Sequence, residues 1–308
     1  MITVLRPLST SELLDRTFHL YKNNFVLFAV ITAIPQIAGL ALHMADAASP
    51  LLFAAASRGL RTLFFVAVAY LGMEVSHSAT AVAVSKLHLG GSTSIRSAYS
   101  SAKRSILRVI WILFITFLLP LALSVALGVL AMGATAGVLD SMGFLNGGDK
   151  LTNVASVFSL VFIFLAVPLL ALRLYLAWSL AVPVTVLEGG GLRATMRRSR
   201  RLTAGRRGRI FAVYLLVFLL SYAVRILFQI PYYVLSGGVL RHPHGGNTAL
   251  IVSAVLAFLS TSLVGPILEI AFTLIYYDER VRKEGFDLQL MMSNLEGGAP
   301  AAAAVAVS

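Results

Sequence analysis

ALIVSAVLAFLSTSLVGPILEIAFTLIYY, running from Ala249 to Tyr277, decides the class of fold. Glu269 is its only charged residue. At about 1.5 Å per residue, such a helix is longer than the ~30 Å hydrocarbon core of a bilayer. Five further stretches read the same way: Phe25–His43, Leu63–Val84, Leu107–Gly133, Val154–Leu187 and Ile210–Leu235. The fourth is too long for one straight helix. Pro168 and Pro183 are expected to break or kink it, with the span proper starting near Leu160. Pro35, Pro120, Pro231 and Pro266 are expected to mark kinks in or beside other spans.

Composition agrees. Of 308 residues, 58% are hydrophobic and 12% charged, and the mean hydropathy is +0.86. A soluble domain carries about 25% charged residues, and a water-soluble fold of this size could not hide so much apolar surface. Cysteine is absent, which excludes disulfides and thiolate metal sites. Met1–Asn24 is charged throughout and is expected not to be a cleaved signal peptide. The residues after Gly297 are alanine-rich and read as a disordered tail, 297–308.

The net charge of +12 is read against a membrane first. Lysine and arginine set orientation. With the N-terminus inside, one side holds Arg6, Arg16, Lys22, Lys86, Arg96, Lys103, Arg104, Arg108, eight arginines from Arg193 to Arg209, and Arg280, Arg282 and Lys283. The other side holds Arg58, Arg61, Lys150 and Arg241. This bias places both termini in the cytoplasm.

The chain also repeats itself. Each pair of spans follows a polar, amphipathic stretch: Ser9–Asn24, Ser92–Arg108 and Leu192–Arg209. Ser9 with Glu12 has the form of a capping box, and Leu13, Leu14, Phe18 and Tyr21 then share a face. Ile95, Ala98, Tyr99 and Ala102 share a similar face, and Leu192-Arg193-Ala194 overlays Ile95-Arg96-Ser97. The expected architecture is all-α and integral to the membrane. One domain, 1–296, holds six transmembrane helices as three repeats of an interfacial amphipathic helix plus a transmembrane pair, about 9–91, 92–191 and 192–296. Interfacial helices of this kind lie among headgroups, apolar face down and basic face toward phosphates.

Glycines close the second span of each pair. Gly90 falls on Gly189 at an offset of 99 and on Gly285 at an offset of 195. The same offsets carry Glu74 onto Arg173 and onto Glu269. Within the spans, past Arg108 at the mouth of the third, these three and Arg225 are the charged side chains. Each costs about 2.5–3.5 kcal/mol at a helix centre on insertion scales, so they are expected to face inward and pair. Approximate threefold packing would bring Glu74, Arg173 and Glu269 to one depth, with the guanidinium between two carboxylates. Arg225 would balance the second acid; His77 sits one turn from Glu74 and Gln229 one turn from Arg225. The set can serve as a buried ion network that fixes packing, or as the lining of a polar cavity for an anionic headgroup, proton or ion.

Arg96, Lys103, Arg104, Arg193, Arg197, Arg198, Arg200, Arg201, Arg206, Arg207 and Arg209 are expected to face anionic lipid on the cytoplasmic side. No soluble recognition element or aromatic platform accompanies them, so nucleic acid is not expected as a partner. His242-Pro243-His244 offers too few ligands for a metal site. Leu187-Glu188-Gly189-Gly190-Gly191 is not a dinucleotide fingerprint, because no soluble strand precedes it. No catalytic constellation is visible, and neither enzyme activity, cofactor nor metal is expected.

Two segments carry a resemblance. Arg6-Pro7-Leu8-Ser9-Thr10-Ser11-Glu12-Leu13-Leu14-Asp15-Arg16-Thr17-Phe18-His19-Leu20-Tyr21 and Tyr276-Tyr277-Asp278-Glu279-Arg280-Val281-Arg282-Lys283-Glu284-Gly285-Phe286-Asp287-Leu288 resemble the ends of the bacterial glycerophosphoryl diester phosphodiesterase membrane domain family. The resemblance covers nearly the whole chain. It implies a multi-spanning module of the bacterial cytoplasmic (inner) membrane. The phosphodiesterase barrel joined to this module in other members has no counterpart here, so no catalytic residue carries over. The expected function is a non-enzymatic membrane module that engages anionic lipid and a protein partner. The alternative is a transporter or lipid-handling protein built around a polar intramembrane cavity.

Overall fold

A computed structural model describes residues 6–48, 58–141, 165, 169–235 and 246–297. The expected start of the fourth span near Leu160, Pro168, Lys150, Arg241, the His242-Pro243-His244 loop and the tail beyond Gly297 lie outside these residues, as does the side chain of Arg58. Among the described residues every element is helical: α1 Thr10–Asn23, α2 Phe25–Ala48, α3 Arg58–His88, α4 Ile95–Ser141, α5 169–178, α6 Ala181–Glu188, α7 Leu192–Thr203, α8 Arg207–Leu235, α9 Gly246–Glu284 and α10 Phe286–Gly297. Five segments are long and apolar enough to cross a membrane: Phe25–Asp46, Leu60–His88, Leu169–Glu188, Arg207–Val234 and Ile251–Glu284. The stretch 107–133 lies within α4. Large apolar side chains point outward, with Val234 72% and Leu63 66% exposed, the inverse of a soluble protein.

Sequence explains where the helices stop. α1 begins at a true capping box: Ser9 accepts from the Glu12 N–H, and the Glu12 carboxylate accepts from the Ser9 N–H at 2.7 Å. The Ser9 backbone and side chain and the Arg6 guanidinium together hold the Glu12 carboxyl down at about 2. Gly90, Gly189 and Gly285 each follow a helix end with positive φ, at 86°, 71° and 61°. That left-handed turn favours glycine, because a Cβ there would crowd the following carbonyl. The fourth span breaks at residues 179–180, between α5 and α6. Pro183 has no N–H to donate to the Ser179 carbonyl, which weakens the helix at this point. α2, α8 and α9 continue through Pro35, Pro231 and Pro266.

The interfacial helices differ from expectation in two respects. The second is not a separate helix: Ile95 opens α4, which continues into the apolar stretch without a break. No asparagine or glycine stands between Ile95 and Trp111, whereas Asn24 ends α1 and Gly205 follows the end of α7. The third does not bury an apolar face. α7 buries Thr195, Ser199 and Thr203 beside Leu202, and the hydroxyls of Ser199 and Thr203 both donate to the Ala177 carbonyl of α5 at 3.2 Å. The other two use tyrosines in the same manner. Tyr21 of α1 donates to the Leu263 carbonyl of α9, and Tyr99 of α4 donates to the Ile31 carbonyl of α2.

α9 lies at the centre, packed on α1, α2, α3 and α8 and touching α7 and α10. The backbone of α2 approaches α3 at Gly72, where a Cβ would stand 3.0 Å from the Pro35 carbonyl oxygen. At the far end of α9 an ionic latch closes the bundle. The Asp278 carboxylate is fully buried; it accepts from the Leu8 N–H at 2.7 Å, from Arg282 at 3.0 Å and from Arg209. The Leu8 carbonyl accepts from Arg209 at 2.8 Å and from Arg282. Arg198 of α7 bridges Glu188 and Glu284, Tyr276 donates to Glu188 at 2.9 Å, and Lys283 caps the end of α7 on the Ala204 carbonyl at 2.7 Å. Burial works against charge on Arg198, but Glu284 and Glu188 hold its guanidinium protonated above the ordinary arginine range.

Asp278→Ala should be among the more destabilising single changes, at about 3 kcal/mol, because it removes the carboxylate shared by two part-buried guanidiniums and the Leu8 N–H. Thermal unfolding of the purified protein reads the loss, and limited proteolysis should show cleavage near Leu8.

Candidate functional site

The membrane-spanning part of the bundle contains a small ionisable cluster. Glu74 of α3 and Glu269 of α9 are 2% and 4% exposed. His77, one turn along α3, stands between them, its Nδ1 3.6 Å from Glu74 and 3.5 Å from Glu269. The imidazole therefore occupies the place between two acids that sequence reasoning gave to Arg173. A single Nδ1–H can donate to one carboxylate at a time, so the second must be met by charge or by another proton.

The cluster borders a cavity of about 300 Å³ between α2, α3, α8 and α9. His77 and Glu269 form one wall, Ser221 and Arg225 of α8 another, and Thr32 and Ser76 line it from α2 and α3. Arg225 donates to Thr261 at 3.4 Å. Thr261 also lines a larger hollow, of about 580 Å³, nearer the end of α2 and the start of α3. There Asp46 pairs with Arg61 at 3.0 Å, and Gln36, His43 and Ser253 add polar groups. A chain of polar lining thus leads from the end of the bundle opposite the latch to the buried acids.

Several buried oxygens on α3 and α9 lack hydrogen-bond partners, as do Asp46 Oδ1 and both oxygens of Glu279. Among the described residues, the buried Tyr70 hydroxyl, Glu74 Oε2, Ser262 Oγ, Glu269 Oε2 and Thr273 Oγ1 have none. Tyr70 lies one turn from Glu74 on α3. Ser262, Glu269 and Thr273 fall on one face of α9 by helical spacing. Unsatisfied oxygens are costly in a low dielectric and suit a site that takes up a proton or binds polar groups.

The expected charge set is thus divided. Glu74, His77 and Glu269 come together, and Arg225 lines the same cavity. Gln229 is half-buried one turn beyond Arg225 and is not among the cavity-lining residues. Arg173 is exposed and lines a different hollow, with Arg207 and Gly208 at the start of α8. No ion pair joins Arg173 or Arg225 to either acid among the described residues. α8 and α9 run antiparallel, with Arg209 beside Asp278 and Arg225 beside Thr261. Glu269 therefore lies opposite Phe218, and the Tyr175 ring of α5 packs on Tyr214, one turn nearer the start of α8.

The basic residues divide as well. Arg198 and Arg209 belong to the latch, and Arg206 lies 3.9 Å from the buried Glu279. Arg96, Lys103 and Arg104 on α4, and Arg193, Arg197, Arg200 and Arg201 on α7, are exposed. Sequence reasoning had no signal for the role of Tyr276 or Asp278 in the latch beyond the density of charges around them. It also missed the serines and threonines that line the cavity.

His77→Leu should destabilise the bundle by about 3 kcal/mol or more by leaving two facing carboxylates unscreened. Adding Glu269→Gln should recover most of the loss, as read by thermal unfolding of the single and double variants in detergent. Equal melting of the two would show that His77 does not stand between charges.

No family model matches the chain, and no characterised protein or solved structure matches it significantly.

Proposed function

We propose that this protein is a six-span membrane protein, made of three helical pairs with both termini cytoplasmic, that takes a small polar or amphiphilic ligand into an intramembrane cavity. It belongs with transporters and lipid-handling proteins rather than enzymes. The observation that carries the proposal is the cavity bordered by Arg225 on one side and by His77 and Glu269 on the other. A scaffold gains nothing from charged groups set around empty space in lipid, since each is costly there. A ligand with an acidic group would be met by Arg225, and the Glu74–His77–Glu269 set supplies protonatable groups beside it.

Three features support the threefold description. Gly90, Gly189 and Gly285, chosen from sequence as equivalent, all take positive φ after a helix end. Each interfacial helix hydrogen-bonds a backbone carbonyl of the preceding unit, counted cyclically: α1 onto α9, α4 onto α2, and α7 onto α5. The stretch 107–133, within the continuous helix α4, supplies the sixth span. The exposed arginines and lysine on α4 and α7 suit a cytoplasmic face against anionic lipid, where a protein partner could also dock. We place the chain beside the membrane portion of the glycerophosphoryl diester phosphodiesterase membrane domain family, in a bacterial inner membrane, on the strength of its two end segments.

The absence of native cysteine makes the test direct. Ser221→Cys in the deeper cavity and Ser253→Cys in the outer hollow should both react with a membrane-impermeant thiol reagent added from outside. Leu216→Cys, on the lipid-facing surface, should not. Failure of Ser221→Cys to react from either side would mean a dry, structural network.

A further inference from the structure

We propose that the hollow where α5 meets the first turn of α8 binds the phosphate of an anionic membrane lipid, held by Arg173, Arg207 and the free N–H groups at the start of α8. The proposal rests on reading the latch end of the bundle as a cytoplasmic face against lipid, and it is separate from the intramembrane cavity. The hollow measures about 550 Å³. Arg173, Leu169, Leu172 and Leu176 line it from α5, and Gly205, Arg207 and Gly208 from the turn into α8. No acid is among the lining residues.

Its charges are uncompensated. Arg206 and Arg209, on either side of Arg207 and Gly208, are turned toward Glu279 and Asp278. Arg173 and Arg207 have no ion pair among the described residues, and the buried Nε of Arg207 has no hydrogen-bond acceptor. The helix start adds donors. The first helical bond here runs from the Ile210 N–H to the Arg206 carbonyl, which leaves the N–H groups of Arg207, Gly208 and Arg209 outside the ladder. α1 closes its own start with Ser9 and Glu12, but no side chain caps α8 among the described residues. Uncapped N–H groups at the positive end of a long helix favour an anion, and two guanidiniums match a phosphate in charge and geometry.

There is also room for the ligand. A Cβ built at Gly205 or at Gly208 would meet nothing within 4 Å, so the backbone is open to close approach. The floor is apolar, and Leu169 is 59% exposed. That combination fits an acyl chain below a phosphate and commits the site to a lipid rather than a soluble ion. The same arginine that sequence reasoning set between two acids becomes a headgroup ligand at the edge of the bilayer.

The full-length protein, reconstituted in nanodiscs of phosphatidylcholine with a minor share of phosphatidylglycerol, tests the site. Lipid retained after purification is counted by native mass spectrometry. The unaltered protein should keep phosphatidylglycerol preferentially. Arg173→Gln with Arg207→Gln should lower that retention at least about tenfold, as loss of charge-assisted bonds implies. Gly208→Leu leaves every charge in place but fills the hollow, and should produce a similar loss. Arg193→Gln with Arg197→Gln and Arg200→Gln should reduce association with anionic vesicles while leaving the retained lipid in place. Retention unchanged in Gly208→Leu would overturn the proposal in favour of diffuse charge. Displacement of the lipid by excess inorganic phosphate would overturn it in favour of a soluble anion. A dry intramembrane cavity in the cysteine experiment would leave this result untouched.

Discussion

Everything in the bundle is referred to one buried carboxylate. Asp278 sits on the central helix and gathers the Leu8 backbone, Arg209 from α8 and Arg282 from its own next turn. A carboxylate removed from water is tolerable only when its oxygens are met by donors, and here they are met by donors from three parts of the chain. The arrangement ties the start of the chain to its last long helix. Arg198 and Lys283 extend the tie to α6 and α7. Interior apolar packing cannot do this alone in a bilayer, because lipid tails are as apolar as leucine and give helices little reason to prefer one another. Polar bonds to backbone carbonyls, from Tyr21, Tyr99, Ser199 and Thr203, supply the same kind of specificity within the membrane-spanning part.

The two segments that carry the family resemblance, Arg6–Tyr21 and Tyr276–Leu288, are the two halves of this latch. Their conspicuous character in the sequence has a structural origin. Dense charge at a helix end usually signals a solvated surface, yet Asp278 and Glu279 are buried and each faces several cations. Nothing in the spacing of Asp278, Arg280 and Arg282 distinguishes a buried network from an exposed one. The distinction comes from Leu8 and Arg209, which are remote in sequence.

Much of the rest was legible. The apolar stretches, the Ser9 cap and the glycine stops follow from local chemistry, and local chemistry is what a sequence displays. Gly90, Gly189 and Gly285, aligned by offset, each take positive φ after a helix end. Arg173, aligned by the same offsets, lines another hollow and makes no ion pair with Glu74 or Glu269 among the described residues. The cation between Glu74 and Glu269 was sought among arginines since these are always charged. His77, one turn away on the same helix, was the shorter route. Hydroxyl-lined space between four helices leaves almost no sequence mark, because serine and threonine in a span more often bond their own helix, as Ser76 does with the Gly72 carbonyl at 2.9 Å.

Glu269 and Asp278 stand on the same helix, and this has a mechanical consequence. α9 is held at one end by the latch and is buried along its face from Ile267 to Glu279. It cannot shift without breaking the bonds of Asp278. On the proposed reading, a ligand entering beside Glu269 would gain room from the other walls of the cavity: α2 and α3 near the close approach at Gly72, and α8 beyond Arg225. On that reading the fixed wall of the cavity is α9, and the walls that accommodate the ligand are α2, α3 and α8.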